Sequence, residues 1–259
     1  MNRDDRLASL LDMVVARDHV QVEDVVSELS VSPATARRYL DSLAAQQLVV
    51  RTRGGARMQP SSGDLPLRYK AARHSAQKAR IAAAAAHLVQ PGQVVAINGG
   101  TTTTEVAREL AVHTGLRDSG QPVTVVTNAV NIAGELAVRA HLRVVVTGGV
   151  VRAQSYELTG PLADLLLGQV EIDTLFLGVN GLDANAGACA HDDGEASIAA
   201  SLAARSARVV VVADSSKLGH RAFARIVPAA QIDAVITDDG ADQSVVTSLQ
   251  RAGIDVTLV

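Results

Sequence analysis

The stretch AINGGTTTTEVAREL, residues 96–110, sets two glycines and four threonines between an apolar run and an amphipathic helical pattern. Hydroxyls and unpaired backbone N–H groups at a helix entrance suit an anion, and the helix dipole adds partial positive charge there. A phosphate is the guest this composition implies. The plainer alternative is that Gly99-Gly100 make a turn and Thr101 caps the helix. A cation able to meet a phosphate occurs in ADSSKLG, residues 213–219, where Lys217 follows the hydroxyls of Ser215 and Ser216. Small polar residues also follow other apolar runs, at Thr127-Asn128, Gly148-Gly149 and 180–183. Asn98, Gly99, Gly100, Thr101, Thr102, Thr103, Thr127, Asn128, Gly149, Asp183 and Lys217 are therefore candidates to line one anion pocket.

A second chemistry is carried by arginines. In VSPATARRYLDSLAAQ, Ser32 can act as N-cap and Pro33 suits the first helical position. With Ala36, Leu40 and Leu43 turned to a core, Ala34, Arg38 and Asp41 point away and Thr35 and Arg37 lie on the flanks. Such a helix can enter a DNA major groove, arginine reading guanine edges and the hydroxyl touching phosphate. LVVRTRGGARM then reads as a two-stranded wing around Gly54-Gly55, with Arg51, Arg53 and Arg57 along a ribbon beside that helix, placed for backbone or minor-groove contact. The charge distribution agrees. Residues 30–80 hold ten Lys/Arg against two Asp/Glu, a surplus of +8, so the rest of a chain of net charge −3 carries −11.

The elements that must position these groups follow from periodicity. Leu7, Leu10, Leu11, Val14 and Val15 mark one helix, and Val22, Val25, Val26 and Leu29 a second, both ahead of the arginine helix. Residues 1–58 thus read as a winged helix-turn-helix. Residues 59–74, with two prolines, serines and scattered charge, have linker composition. A larger domain, 75–259, starts with an alanine-rich helix at 75–89. Apolar strand candidates at 94–97, 123–127, 143–147, 174–179, 208–213, 234–237 and 255–259 then alternate with helical patterns. That rhythm predicts a mainly parallel α/β sheet, whose ligands gather outside the carboxyl ends of the strands.

Several function classes find no support. No apolar segment approaches the roughly 20 residues of a membrane span, and MNRDDRLASL lacks a signal-peptide core, so a cytoplasmic protein is expected. The single cysteine, Cys189, excludes an internal disulfide framework and reads as buried filler. Nucleophile-elbow, phosphate-loop and dinucleotide-turn motifs are absent. The seven histidines stand far apart, and the one conceivable metal cluster, His191 with Asp192 and Asp193, reads as an exposed acidic turn. No metal or cofactor is expected.

With these residues in place, the chain resembles the DeoR family of bacterial transcription regulators. The N-terminal match is VSPATARRYLDSLAAQQLVVRTRGGA, which follows that family's recognition helix and wing, with Tyr39 where the family carries aspartate after the two arginines. The rest matches the family's sensor domain through INGGTTTTEVAREL, VVTN, VTGG, ELTGPLA, LFLGVNGLD, GEASIAASL, VVVVADSSKLG and VITD, with Asn98 where aspartate is common. The resemblance implies a sensor fold shared with ribose-5-phosphate isomerase and the coenzyme A transferases. It also implies a phosphorylated sugar or related metabolite as effector. Glu195 matches the region of the isomerases' catalytic glutamate, while LGVNG places Leu177 and Asn180 where two aspartates would serve catalysis. Glu195 is accordingly expected, with Asn98 and Asp183, to face ligand hydroxyls rather than act as a base. The implied function is a repressor of a carbohydrate-catabolism operon, a homo-oligomer binding double-stranded operator DNA. The alternative is a sugar-phosphate isomerase-like enzyme with a DNA-binding module.

Overall fold

Apolar residues three and four apart build the first part of the molecule. The computed structural model describes residues 3–46, 48–58, 67–70 and 73–259, whose contacts fall into two units, Met1–Arg73 and His74–Val259. In the first unit, α1 (Arg3–Arg17) turns Leu7, Leu10, Leu11 and Val14 inward. Strand β1 (His19–Gln21) leads into α2 (Val22–Leu29), which adds Val22 and Val25, and α3 (Pro33–Ala45) adds Ala36, Tyr39, Leu40 and Leu43. Each fully buried leucine stabilises the unit by roughly 1.5–3 kcal/mol relative to exposure. Val15, expected on the α1 stripe, is 40% exposed because it falls at the margin of the buried arc.

Ser32 caps α3 as expected, its hydroxyl accepting the Thr35 N–H at 3.2 Å, with Pro33 in the first turn. Strands β2 (Val49–Thr52) and β3 (Gly55–Met58) form the antiparallel wing hairpin, and β1 pairs with β3 as a third strand that the sequence did not announce. A Cβ on Gly55 would stand 2.0 Å from the Val20 carbonyl oxygen, so the close β1–β3 approach requires glycine there. Within the stretch of linker composition, residues 59–66 and 71–72 lie outside the described residues. Residues 67–70 form a helical turn, α4 (Leu67–Lys70), that packs on α1, and Arg73 ion-pairs with Asp12.

The second unit opens with α5 (Ser75–Ala86), three residues shorter than the expected helix. Strand β4 (Val94–Ile97), α6 (Thr101–Val112), the turn α7 (Thr114–Arg117), β5 (Val123–Thr127), α8 (Val130–Leu136) and β6 (Leu142–Val146) follow. A hairpin, β7 (Val150–Arg152) and β8 (Glu157–Thr159), leads through α9 (Leu162–Leu167) to β9 (Ile172–Leu177). After short strands β10 (Gly181–Asp183) and β11 (Gly187–Ala190) come α10 (Asp193–Ala204), β12 (Ser206–Val212) and a single 3-10 turn at Ser215–Lys217. The chain closes with β13 (Ala224–Val227), β14 (Ala234–Thr237), α11 (Gln243–Arg251) and β15 (Asp255–Leu258).

The seven strand candidates all enter one parallel sheet in the order β15-β14-β12-β9-β4-β5-β6. Alternate residues feed two cores. Val95, Ile97, Val125 and Phe176 face α5, α6 and α8, whereas Ala96, Val126, Leu175 and Leu177 face α9 and α10. The chain leaves β4 toward β5 and β6 on one side and returns to β9 on the other. The strand order therefore reverses between β4 and β9, the point at which open α/β sheets form their ligand crevice at the carboxyl ends. The loop 98–100 and the start of α6 stand at that point.

Candidate functional site

The anion loop is built by what its residues lack. Gly100 takes φ +147°, a conformation side chains disfavour, and it rather than Thr101 is the N-cap of α6, with no side-chain cap. Thr104 closes the first turn through Gly100: its N–H donates to the Gly100 carbonyl at 3.1 Å and its hydroxyl to the same oxygen at 2.6 Å. The N–H groups of Gly100, Thr101, Thr102 and Thr103 have no partner among the described residues. Thr103 is fully buried, and its hydroxyl, beside Gly100 and Gly178, is likewise unsatisfied. Unpaired buried donors cost free energy unless a ligand or water satisfies them.

Other candidates are committed to the scaffold. The Asn98 carboxamide ties β4 to β9, donating to the Gly178 carbonyl at 3.1 Å and accepting the Gly178 N–H at 2.7 Å. Thr127 is fully buried; its hydroxyl donates to the Ile97 carbonyl at 2.6 Å and accepts the Ala129 N–H at 3.1 Å. Gly149, at φ +128°, lies against the backbone of Thr159, where a Cβ would meet the carbonyl oxygen at 2.6 Å. The Asp183 Oδ1 accepts the Asn185 and Ala186 N–H groups at 3.1 and 2.8 Å and pairs with Arg221. Burial opposes ionisation of Asp183, but these bonds outweigh it and hold the carboxyl below the usual range. The structure places Asp183 on β10, in a small sheet with β11 and β13, apart from the loop 98–100 in the topology.

Two residues not singled out from the sequence complete the crevice. Glu157 and Arg152 face one another across the β7–β8 hairpin. Glu157 is 4% exposed; its carboxyl accepts from the Asn128 Nδ2 at 2.7 Å and from the Gly99 N–H. Burial, then the negative charge of Glu195, push it up to about 8, against the Asn128 and Gly99 hydrogen bonds and the charge of Arg152, so it is mostly protonated at neutral pH. Arg152 donates to Asp192 at 3.1 Å and to Glu195 at 2.9 Å, while Asp192 caps α10 through the Glu195 N–H at 3.0 Å. The structure thus joins Gly99 and Asn128 through Glu157, and sets Glu195 beside them. Both missed residues lie on the β7–β8 hairpin that follows β6, beyond the strand-end residues from which the other candidates were read.

Lys217 ends the 3-10 turn after β12, two strands from β4 along the same sheet edge. At about 4.8 Å per strand, β12 and β4 lie roughly 10 Å apart in the sheet. A shallow groove at the opposite, amino-terminal edge, lined by Leu116, Pro122, Val138 and His141 among others, holds none of these candidates. Among the described residues no group of three or more His, Cys, Asp or Glu is placed to hold a metal ion, and no helix is long and apolar enough to cross a membrane.

In the first unit, Arg37, Arg38, Arg53 and Arg57 are exposed, and Ser32 and Thr35 bond hydroxyl to hydroxyl at 3.0 Å at the start of α3. Arg51 is held differently. Its Nε lies 2.8 Å from Asp41 and its Nη1 donates to the Gly55 carbonyl at 2.6 Å, so it braces the wing against α3. Tyr39 is buried at 4% and completes the inward stripe with Ala36, Leu40 and Leu43, which leaves the role of orienting an arginine to Asp41.

Comparison with known proteins agrees with this architecture. The profile of the DeoR C terminal sensor domain matches residues 73–239, and that of the DeoR-like helix-turn-helix domain matches residues 6–62. The glycerol-3-phosphate regulon repressor of Escherichia coli is 31% identical over all of both chains. The HTH-type transcriptional regulator GlpR of Haloferax volcanii is 34% identical, over 97% of this chain and 96% of its own. A solved ribose 5-phosphate isomerase A from Methanocaldococcus jannaschii aligns with 54% of this chain and 52% of its own, at a TM-score of 0.40 and 19% identity. On the two profiles and the full-length relatives, the chain belongs to the DeoR family of transcriptional regulators, a helix-turn-helix unit joined to an α/β sensor domain.

Proposed function

We propose that this regulator is a repressor of carbohydrate-catabolism genes whose sensor unit binds a phosphorylated metabolite and thereby lowers operator affinity. The observation that carries the ligand class is the row of unpaired N–H groups from Gly100 to Thr103, with the buried Thr103 hydroxyl, at the point where the strand order reverses. Thr101 and Thr102 flank the phosphate, Lys217 meets it from the loop two strands away, and Asn98, Thr127 and Gly149 hold the crevice in shape. Asn128 and Glu195 face the sugar hydroxyls, with Asp183 at the margin. The name of the Escherichia coli relative, a glycerol-3-phosphate regulon repressor, supports the same ligand chemistry. On the DNA side, Arg37 and Arg38 enter the major groove, Ser32 and Thr35 touch phosphate at the helix start, and Arg53 and Arg57 follow the backbone from the wing. A single such unit reads few base pairs, so the chain acts as a homo-oligomer on paired half-sites, in the cytoplasm. A thermal-shift screen of sugar phosphates tests the reading, since a ligand of the folded state raises the melting temperature.

The protein is a sensor without turnover. Leu177 is fully buried among apolar side chains, and the Asn180 side-chain Oδ1 accepts the His191 N–H at 2.9 Å, so neither offers a carboxylate for proton transfer. Purified protein is expected not to interconvert ribose 5-phosphate and ribulose 5-phosphate in a coupled assay. Turnover that disappears in Glu195→Gln would favour an enzyme instead.

A further inference from the structure

The first donor of the anion loop is already taken by a carboxyl of the protein's own. Glu157 reaches over from β8, accepts the Gly99 N–H and the Asn128 amide, and lies so close that a Cβ on Gly99 would stand 2.2 Å from its Cγ. Among the described residues the next four N–H groups along the chain are unpaired, the Thr103 hydroxyl is buried without a partner, and so is the side-chain Oδ1 of Asn128. Consecutive Cα atoms are about 3.8 Å apart, so a tetrahedral dianion on Gly100 to Thr103 sits within a few ångströms of the Glu157 carboxyl. Two anions at that distance in a dry site repel strongly, whereas a protonated carboxyl can donate to the newcomer.

We propose that Glu157 is a specificity-determining residue of the sensor: its carboxyl guards the loop and admits a phosphate only in the protonated form, so that ligand and proton bind together. The proposal rests on the reading of Gly100 to Thr103 as a phosphate cradle. The charged groups facing Glu157 are Glu195 from α10, which favours the proton, and Arg152 from β7, which opposes it and is itself shared between Glu195 and Asp192. Asn128 and Gly99, from the ends of β5 and β4, also oppose it as hydrogen-bond donors.

The sign of the pH dependence follows. With Glu157 near 8 in the free protein, the proton is present below that pH and affinity is flat. Above it, binding must recruit a proton, and affinity falls by up to about tenfold per pH unit. Inorganic sulfate is a suitable probe because it is a tetrahedral dianion that does not titrate in this range. Isothermal titration of the full-length chain with sulfate is expected to give binding roughly 30-fold weaker at about pH 9.5 than at about pH 7. In Glu157→Gln the affinity is expected to stay flat over the same range.

An equal pH slope in wild type and Glu157→Gln overturns the role of Glu157 while leaving the cradle intact. Absence of sulfate binding at every pH overturns the cradle, and this proposal with it. Should Glu157→Gln fail to fold, the heat of sulfate binding to wild type at about pH 9, compared in two buffers of different ionisation enthalpy, reads proton uptake directly. Uptake approaching one proton supports the proposal, and none contradicts it.

Discussion

Replacing Arg38 by alanine is expected to weaken binding to the cognate operator by about 1–3 kcal/mol, roughly five- to 150-fold, with a much smaller effect on random-sequence DNA. Arg38 projects from α3 on the side opposite Ala36, Leu40 and Leu43, and its guanidinium carbon lies 5.9 Å from the ring centre of Tyr39, which is itself fixed in the core. That arrangement presents a planar donor pair from a rigid helix, which bidentate contact to a guanine edge requires. Arg53→Ala provides the contrast. Arg53 is an exposed wing residue proposed to contact phosphate, so its loss should weaken cognate and random DNA alike and shallow the salt dependence. Fluorescence anisotropy at fixed salt checks both, and unchanged cognate affinity in Arg38→Ala would remove α3 from the role of recognition helix.

Lys217→Ala is expected to lower effector affinity about ten- to a hundredfold, the loss of a charge-assisted contact of roughly 1.5–3 kcal/mol. The lysine is presented by a braced loop. Asp214, 3% exposed, accepts the Ser216 N–H at 3.2 Å as well as the Ser216 hydroxyl. Asp238 accepts the Ser215 N–H at 2.7 Å, the Ser215 hydroxyl at 2.8 Å and the Gly240 N–H at 3.1 Å. Burial opposes the charge on Asp238, yet these bonds hold its carboxyl below the usual range. Truncating the lysine leaves this network in place, and operator binding without effector should be unchanged because the residue belongs to the other unit. Titration of the operator complex with effector reads the shift, and a wild-type response would exclude Lys217 from the site.

Much of this architecture is legible in the sequence because it is written in local pattern. β-branched apolar runs mark the seven strands of the parallel sheet, and Ser32-Pro33 marks the start of α3. The burial of Tyr39 was not read from the sequence, although it falls three residues after Ala36 and four before Leu43 on the inward arc. The short strands outside the parallel sheet and the wing hairpin, β1, β7, β8, β10, β11 and β13, were not legible, for their pairing is set by distant residues. The same limit governs the sites. Exposed arginines on α3 and the threonines of α6 announce themselves by position. Whether a polar side chain is free for a ligand depends on partners far along the chain: Gly178 for Asn98, Asp41 for Arg51, and Asn128 and Gly99 for Glu157.

The central claim is that the phosphate of a metabolite, read by Gly100 to Thr103, controls the hold of this protein on its operator. Anisotropy of a labelled operator, titrated with the sugar phosphate found by thermal shift and in parallel with the same sugar unphosphorylated, tests it most directly. The account predicts release by the phosphorylated compound and little response to the other at concentrations tenfold higher or more, as about 1.4 kcal/mol of phosphate binding requires. Equal release by both would contradict it and return the threonines to the plain work of starting a helix.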